Sequence, residues 1–328
     1  MIIRFVGPLA TKLGKEIQVK IEKEVPLREV IERVVRLYPQ AEDELSDLSF
    51  YSISLNGELL KKDELEEIRV KDGDVLILIP AIAGGGRESR IKLVIKKNFD
   101  MSTSTYEDFE RKYGFFGQLA LKMKEKIDDE VRMILDIGCG TGVLGGVFDG
   151  PTIVGIDISP DMVRVARKRL HDVLIGDGSR LPFRDGSFDA AVFNAVIFLI
   201  PDGGNAIRES LRVVKDKGKV VGTYLVGLFE NGKEVIERLG LRHRLPFPRD
   251  RVEEVVNEFE GICEKITFSV TKEFVRDFYS IPAMSNALFP KMEPEKRIEL
   301  ARQKLSDLPD EMDFVWGIFS ISKVNFTI

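Results

Sequence analysis

A chain of 328 residues that is 44% hydrophobic and 31% charged has room for two domains and an ample core. Its net charge of −5, most of it in residues 1–86 (12 Lys/Arg against 16 Asp/Glu), argues against a nucleic-acid partner, and no apolar run reaches the ~20 residues of a membrane span. Two cysteines (Cys139, Cys263) and no basic-then-apolar leader predict a cytoplasmic protein, and abundant Lys and Glu with scarce Gln point to a thermophilic source.

IIRFVG reads as the hairpin partner of KEIQVKIEK, where Ile17, Val19 and Ile21 alternate with polar residues. PLREVIERVVRLYP sets Leu27, Val30, Ile31, Val34 and Tyr38 on one helical face, opened after Pro26 and stopped by Pro39. YSISLNGELL is a strand, an Asn56-Gly57 turn and a short return, and KDGDVLILIP is an Asp72-Gly73 turn and an apolar strand. The order ββαββ predicts a small mixed sheet around one helix.

SLNGELL, VKDGDVLILIPAIAGG and this element order resemble the β-grasp sulfur carriers of molybdopterin and thiamine biosynthesis, relatives of ubiquitin, over residues 1–86. In that family the chain ends at Gly-Gly, and its carboxylate is adenylated by an E1-like enzyme and converted to a thiocarboxylate. Glycines suit a tail that must thread a narrow channel. Here Arg87 follows Gly84, Gly85 and Gly86. Two readings stay open. A processing protease cuts after Gly85 or Gly86 and frees a carrier, or the glycines open a flexible linker, running through residues 87–97, behind a fixed module.

From residue 98 to 328 the pattern changes. RMILDIGCGTGVLGG is an apolar strand entering a turn at Gly138, Gly140 and Gly142. Alone the glycines are weak evidence, since any tight strand-to-helix turn uses them. TIVGIDIS then ends a second strand at Asp157, 19 residues after Gly138 and close to the ~20 of a ribose-binding acid. PDMVRVARKRL opens a helix with Pro160. VLIGDGSRLPF ends a third strand at Asp177, SFDAAVFNAVIFLIP is a fourth with a helix after Pro201, and KGKVVGTYLV is a fifth. Alternating strands and helices predict a parallel doubly wound sheet with its ligand at the carboxyl ends of the strands.

ILDIGCGTG in this context closely resembles the class I S-adenosylmethionine (SAM)-dependent methyltransferases, in the small-molecule branch called type 11, with a Rossmann-like seven-stranded fold. FDMSTSTYEDFERKYG resembles the segment that leads into that fold. The resemblance implies SAM as cofactor and a small-molecule acceptor. It implies that Gly138 and Gly140 let the backbone approach the methionine half, with Gly142 completing the turn. Asp136 would meet the methionine amino group, Asp157 the two ribose hydroxyls, and Ile158 the adenine face. Asp177 would take the adenine amino group beside Gly178, Asn194 would face the methyl, and Tyr106 would close over the methionine end.

A base is needed only if the acceptor must lose a proton. The sequence fixes no catalytic residue; His243, in the connection after the fifth strand, is the candidate, while His171 reads as a surface residue. DRVEEVVNEFEG is a helix before a sixth strand, ICEKITFSV, and FVWGIFSISK is the seventh. Between them residues 272–311 predict a helical cap of two helices interrupted by prolines. Its Phe274, Phe278, Tyr279, Met284 and Phe289 either pack the cap onto the sheet or line an apolar acceptor pocket. No metal-ligand cluster appears in the sequence.

Overall fold

The computed structural model describes residues 1–5, 8–45, 48, 51–60, 67–80, 87–290 and 292–323. The chain divides into two compact units, Met1–Leu93 and Val94–Ile328.

The first unit is a five-stranded mixed sheet. Its strands are β1 (Ile2–Phe5), β2 (Glu16–Gln18), β3 (Tyr51–Leu55), β4 (Glu58–Leu59) and β5 (Val75–Pro80), in the order β2-β1-β5-β3-β4. Strand β5 runs parallel to β1 and antiparallel to β3. Helix α2 (Leu27–Leu37) buries Leu27, Val30, Ile31 and Val34 in a core shared with Ile3, Phe5, Ile53, Leu76 and Leu78. A short helix α1 (Pro8–Leu13), absent from the sequence reading, separates β1 from β2. Strand β2 is shorter than Lys15–Lys23 because β1 runs out at Ile2, opposite Gln18; Val19 and Ile21 are buried all the same. The Asn56-Gly57 turn forms with φ of 52° and 92°. The Asn56 amide ties it to the second turn, with Oδ1 accepting from Val75 N (2.8 Å) and Nδ2 donating to Asp74 (2.9 Å). Gly84, Gly85 and Gly86 lie outside the described residues.

Residues 87–97, expected as a linker, are helical: α3 runs unbroken over Arg87–Tyr113. The run contains no glycine or proline until Gly114, whose φ of 58° ends it before α4 (Phe115–Lys124).

The second unit holds β6 (Met133–Ile137), β7 (Thr152–Asp157), β8 (Asp172–Ile175), β9 (Phe188–Phe193), β10 (Val214–Glu230), β11 (Ile262–Thr271) and β12 (Glu311–Ser322). Their order is β8-β7-β6-β9-β10-β12-β11. The first five are parallel, and β12 is antiparallel to both its neighbours. The Lys233–Glu234 pair adds a short edge to β10. Strand order reverses between β6 and β9, so a crevice opens outside their carboxyl ends. Helices α5 (Pro160–Ala166), α6 (Gly203–Val213) and α7 (Arg249–Glu258) supply the crossovers.

The cap has three helices rather than two: α8 (Lys272–Phe278), α9 (Pro282–Leu288) and α10 (Pro294–Lys304). Pro282 and Pro294 sit in the first turns of α9 and α10, where a missing N–H costs nothing, so they start helices instead of interrupting them. Phe274, Phe278, Tyr279 and Met284 are buried, Phe289 partly so. The rings of Phe274 and Phe278 meet Phe109 and Phe115 of the leading helices and Phe314 of β12 at centroid distances of 5.1–6.4 Å. Phe274 and Phe278 thus pack the cap against the leading helices and the sheet.

Candidate active site

Strand β6 delivers Asp136 and then turns sharply at Gly138, whose φ is 68°. A Cβ there would lie 2.4 Å from a Val196 methyl, so only glycine lets the chain pass. The turn is pinned to β7 by Gly138 N and Cys139 N donating to Ile156 O (2.7 and 3.2 Å). A Cβ on Gly140 would meet nothing within 4 Å, which leaves open space in front of the backbone. Gly142 instead faces α5, where a Cβ would stand 3.1 Å from the Ala166 Cα; its smallness serves helix packing. The Cys139 thiol is buried and pushed well above its ordinary value by that burial, so it is no thiolate.

Asp136 is fully buried, and neither of its carboxylate oxygens has a partner among the described residues. Burial first, then the neighbouring Asp157 charge, push its carboxyl up to about 8. Asp157 ends β7. Its Oδ2 accepts from Gly140 N and its Oδ1 from Ser159 N, both at 2.8 Å. Burial outweighs these two bonds and pushes it up to about 6. Ser159, as expected of a cap, receives Met162 N at the start of α5. At the end of β8, Asp177 Oδ1 accepts from the Ser179 N–H and hydroxyl (2.9 and 2.8 Å), while Gly178 abuts Ile137. Ile158 is half-buried beside them. Asn194 follows β9. Its Nδ2 donates to Phe116 O (3.0 Å), which fixes the orientation of the amide and leaves a buried Oδ1 with no partner. Tyr106 is buried and stacks on the Phe116 ring at 4.5 Å, and burial raises its phenol well above its ordinary value.

Asp136, Gly138, Gly140, Asp157, Ile158, Asp177, Gly178 and Asn194 thus stand on adjacent strand ends of β6 to β9, and Tyr106 joins them through Phe116. His243 is held on the cap side, its Nε2 2.5 Å from Tyr279 Oη. Its loop is tied to the cap by Arg244 N donating to Ala287 O and to the turn after Asn194 by Phe247 N donating to Phe198 O. Packing around the imidazole pushes it down to about 4. His171 is exposed, its Nδ1 accepting from Ile153 N.

Sequence reasoning passed over three acids of α3. Asp100 accepts from the Ser159 hydroxyl (2.6 Å) and so touches the loop that holds Asp157. Glu107 pairs with Arg169 through both oxygens (2.8 and 2.5 Å). Glu110 receives Phe116 N and Gly117 N (2.9 Å each) and closes the bend between α3 and α4. The signal was their spacing of seven and three, one helical stripe, but acids at that spacing more often mark a solvated face.

A methyltransferase domain family model matches residues 135–222, and the ThiS family model matches residues 3–85. An uncharacterized Methanocaldococcus jannaschii protein is 38% identical over 87 residues, 26% of this chain and 42% of that protein. A second from the same organism is 33% identical over 138 residues, 41% of this chain and 53% of the relative. The demethylmenaquinone methyltransferase of Corynebacterium kroppenstedtii is 36% identical over 89 residues, 26% and 39% of the two chains. The chain spans about half the length, or less, of these curated relatives.

Proposed function

We infer that this chain, which carries a ThiS-family domain followed by a methyltransferase-family domain, binds SAM at the strand ends of β6 to β9 and methylates a small, partly apolar acceptor. The observation that carries the reading is Asp136. A buried carboxyl group with neither oxygen bonded among the described residues is costly, and a structure keeps one where a ligand satisfies it. The open backbone at Gly140 and the acids Asp157 and Asp177 on the next two strand ends fit the rest of that ligand.

Bound SAM supplies an already activated methyl on a sulfonium, so positioning and exclusion of water are the protein's share of the chemistry. Asp136 takes the ammonium of the methionine half. Asp157 spends one lone pair of each oxygen on backbone N–H groups and keeps the other for the ribose hydroxyls. Ile158 packs on the adenine, and Asp177 with the Gly178 backbone receives its polar edge. Tyr106 and the leading helix cover the methionine end, and Asn194 faces the methyl.

The test is calorimetry with S-adenosylhomocysteine. Asp157→Ala removes charged hydrogen-bond acceptors worth about 1.5–3 kcal/mol, which is roughly a 10- to 150-fold loss of affinity. Unchanged affinity in a folded variant, or no binding by the parent protein, refutes the assignment.

A second reading concerns the first unit. The ThiS match ends at Gly85, inside the glycine run, where a sulfur carrier would end. In that reading a protease releases residues 1–85 or 1–86, and an E1-like adenylating enzyme activates the new carboxylate. Intact mass of the protein from its source cells decides: a fragment ending at Gly85 or Gly86 supports release, and full-length chain alone, under sulfur limitation as well as in rich medium, supports a fixed module.

A further inference from the structure

Two buried polar atoms beside the cap are left without a hydrogen-bond partner by the cofactor roles, the one on Asn194 although that residue faces the methyl. Asn194 Oδ1 and Trp316 Nε1 have no hydrogen-bond partner among the described residues. Trp316 is fully buried on β12. Its ring lies 5.6 Å from Phe115 and 5.7 Å from Phe198, which follows Asn194 by four residues. Asn194 is bonded to the carbonyl of Phe116, whose ring meets Phe278 at 6.5 Å. Both orphan atoms therefore belong to one aromatic wall between the leading helices, the cap and the carboxyl ends of the strands.

Their chemistry is complementary. An indole N–H can only donate, so it needs a lone pair; an amide oxygen can only accept, so it needs an X–H group. An ammonium offers donors only, and a carboxylate or ether offers acceptors only. An uncharged molecule with a hydroxyl and a second oxygen offers both. The other polar groups on the wall do not call for charge. Tyr279, 5.2 Å from Phe278, pairs with His243, and packing holds that imidazole neutral above about pH 4.

We propose that the acceptor is an uncharged, ring-bearing hydroxyl compound, seated on the wall of Phe116, Phe198, Phe278 and Trp316, with its hydroxyl on Asn194 Oδ1 and a second oxygen on the Trp316 N–H. The proposal rests on the methyltransferase reading and adds the acceptor's class to it. Asn194 then stands beside both cofactor and acceptor and orients the hydroxyl by accepting its hydrogen bond, while Trp316 sets which rings are admitted.

Trp316 is the only tryptophan in the chain, so a 15N-labelled sample gives a single indole N–H signal. The experiment titrates the full-length protein, free and loaded with S-adenosylhomocysteine, with 4-methoxyphenol, 1,4-dimethoxybenzene and benzylammonium. The expected result is a saturable downfield shift of the indole signal with 4-methoxyphenol. Binding of 1,4-dimethoxybenzene, which leaves Asn194 unpaired, should be at least ~10-fold weaker, about one decade per 1.4 kcal/mol. Benzylammonium should leave the signal in place. Trp316→Phe should weaken 4-methoxyphenol about tenfold by calorimetry while leaving S-adenosylhomocysteine affinity unchanged. An unmoved indole signal with 4-methoxyphenol, equal binding of the diether, or tighter binding of the ammonium overturns the proposal. Missing shifts of the Gly138 and Gly140 amides with S-adenosylhomocysteine would instead defeat the cofactor reading, and the free-protein titration still reads the wall.

Discussion

The strand ends of β6 and β7 and the helical cap treat buried ionisable groups in opposite ways. At the strand ends Asp136 is fully buried, and among the described residues both its oxygens are unpaired. In the cap Arg297 is only 3% exposed and fully engaged: it donates to Ser285 Oγ, Asn286 Oδ1, Met292 O, Pro282 O and Asn98 Oδ1. These bonds stitch α10 to α9 and both to α3. The Ser102 hydroxyl adds a second stitch, accepting from Ala283 N (2.9 Å). A saturated buried polar group is architecture, whereas an unsaturated one keeps its bonding capacity for something that binds. The largest expected effect tests the saturated side. Arg297→Met leaves several buried acceptors without donors and should cost about 3–5 kcal/mol of stability, the usual scale for breaking a buried charged network. Denaturant unfolding of the 94–328 unit within the full chain measures it; a loss below ~1 kcal/mol would show the cap held by its aromatic packing alone.

The unsaturated side should behave in reverse. Asp136→Asn removes the ionisable group, so above about pH 8, where the free protein would otherwise carry an unpartnered buried charge, it should gain stability, while S-adenosylhomocysteine binding falls roughly 10- to 150-fold. The pH dependence gives the sign independently. Asp136 holds its proton up to about pH 8 when folded and releases it near 3.8 when unfolded, so the folded chain binds more protons between these values and stability falls as pH rises. Asp157, raised to about 6, acts the same way below that pH, and His243, lowered to about 4, opposes both below its ordinary 6.5. Between pH 6.5 and 8 Asp136 acts without these two, and up to about 2 kcal/mol should be lost across that window. Thermal unfolding of the free protein should show this decline, and Asp136→Asn should flatten it. A decline of equal slope in the variant would remove Asp136 as its cause.

How much of this was legible before the structure follows the same division. The glycine turn and the acids after β7 and β8 are local in sequence, each fixed by the strand it ends, so their positions read directly. The succession of the seven strands along the chain followed from alternating apolar runs and helices, but their places in the sheet and the reversed direction of β12, expected as part of a parallel sheet, did not. The β-grasp unit read well for a similar reason, since its two turns are sequence-local and Asn56 merely joins them. The cap did not. Arg297 looks like one more charge on a helix of charges, and its partners lie up to 199 residues away. Trp316 looks like any core residue of an apolar strand, because an orphaned N–H is a property of its neighbours. Prolines 282 and 294 are equally at home stopping a helix or starting one, and only the helix boundaries decide. Residues 87–97 follow a glycine run that suggests a linker, but the stretch itself contains no glycine or proline to break a helix.

The smallest expected effect lies where the two sides meet. Ser159 caps α5 by accepting Met162 N (3.2 Å), offers its own N–H to Asp157 Oδ1, and donates its hydroxyl to Asp100 Oδ1. Asp100 lies on the same helix as Asn98 and Ser102, which hold the cap, so one serine links the cofactor edge to the helix that carries the cap's anchors. Ser159→Ala keeps the backbone N–H on Asp157 and deletes only the hydroxyl. The lost cap should cost about 1 kcal/mol of stability. The freed Asp100 keeps Lys96 as its partner at 2.7 Å, so no unpaired charge is left behind. If the hydroxyl serves only the helix cap, S-adenosylhomocysteine affinity should be unchanged when corrected for stability. If it also holds α3 against the β7 loop, affinity should fall by a few-fold, and Asp100→Ala, which deletes the acceptor and leaves the cap intact, should reproduce that fall without the loss of the cap. Calorimetry and thermal unfolding on the two variants separate these outcomes, and a full loss of binding in either would show that α3 is part of the site itself.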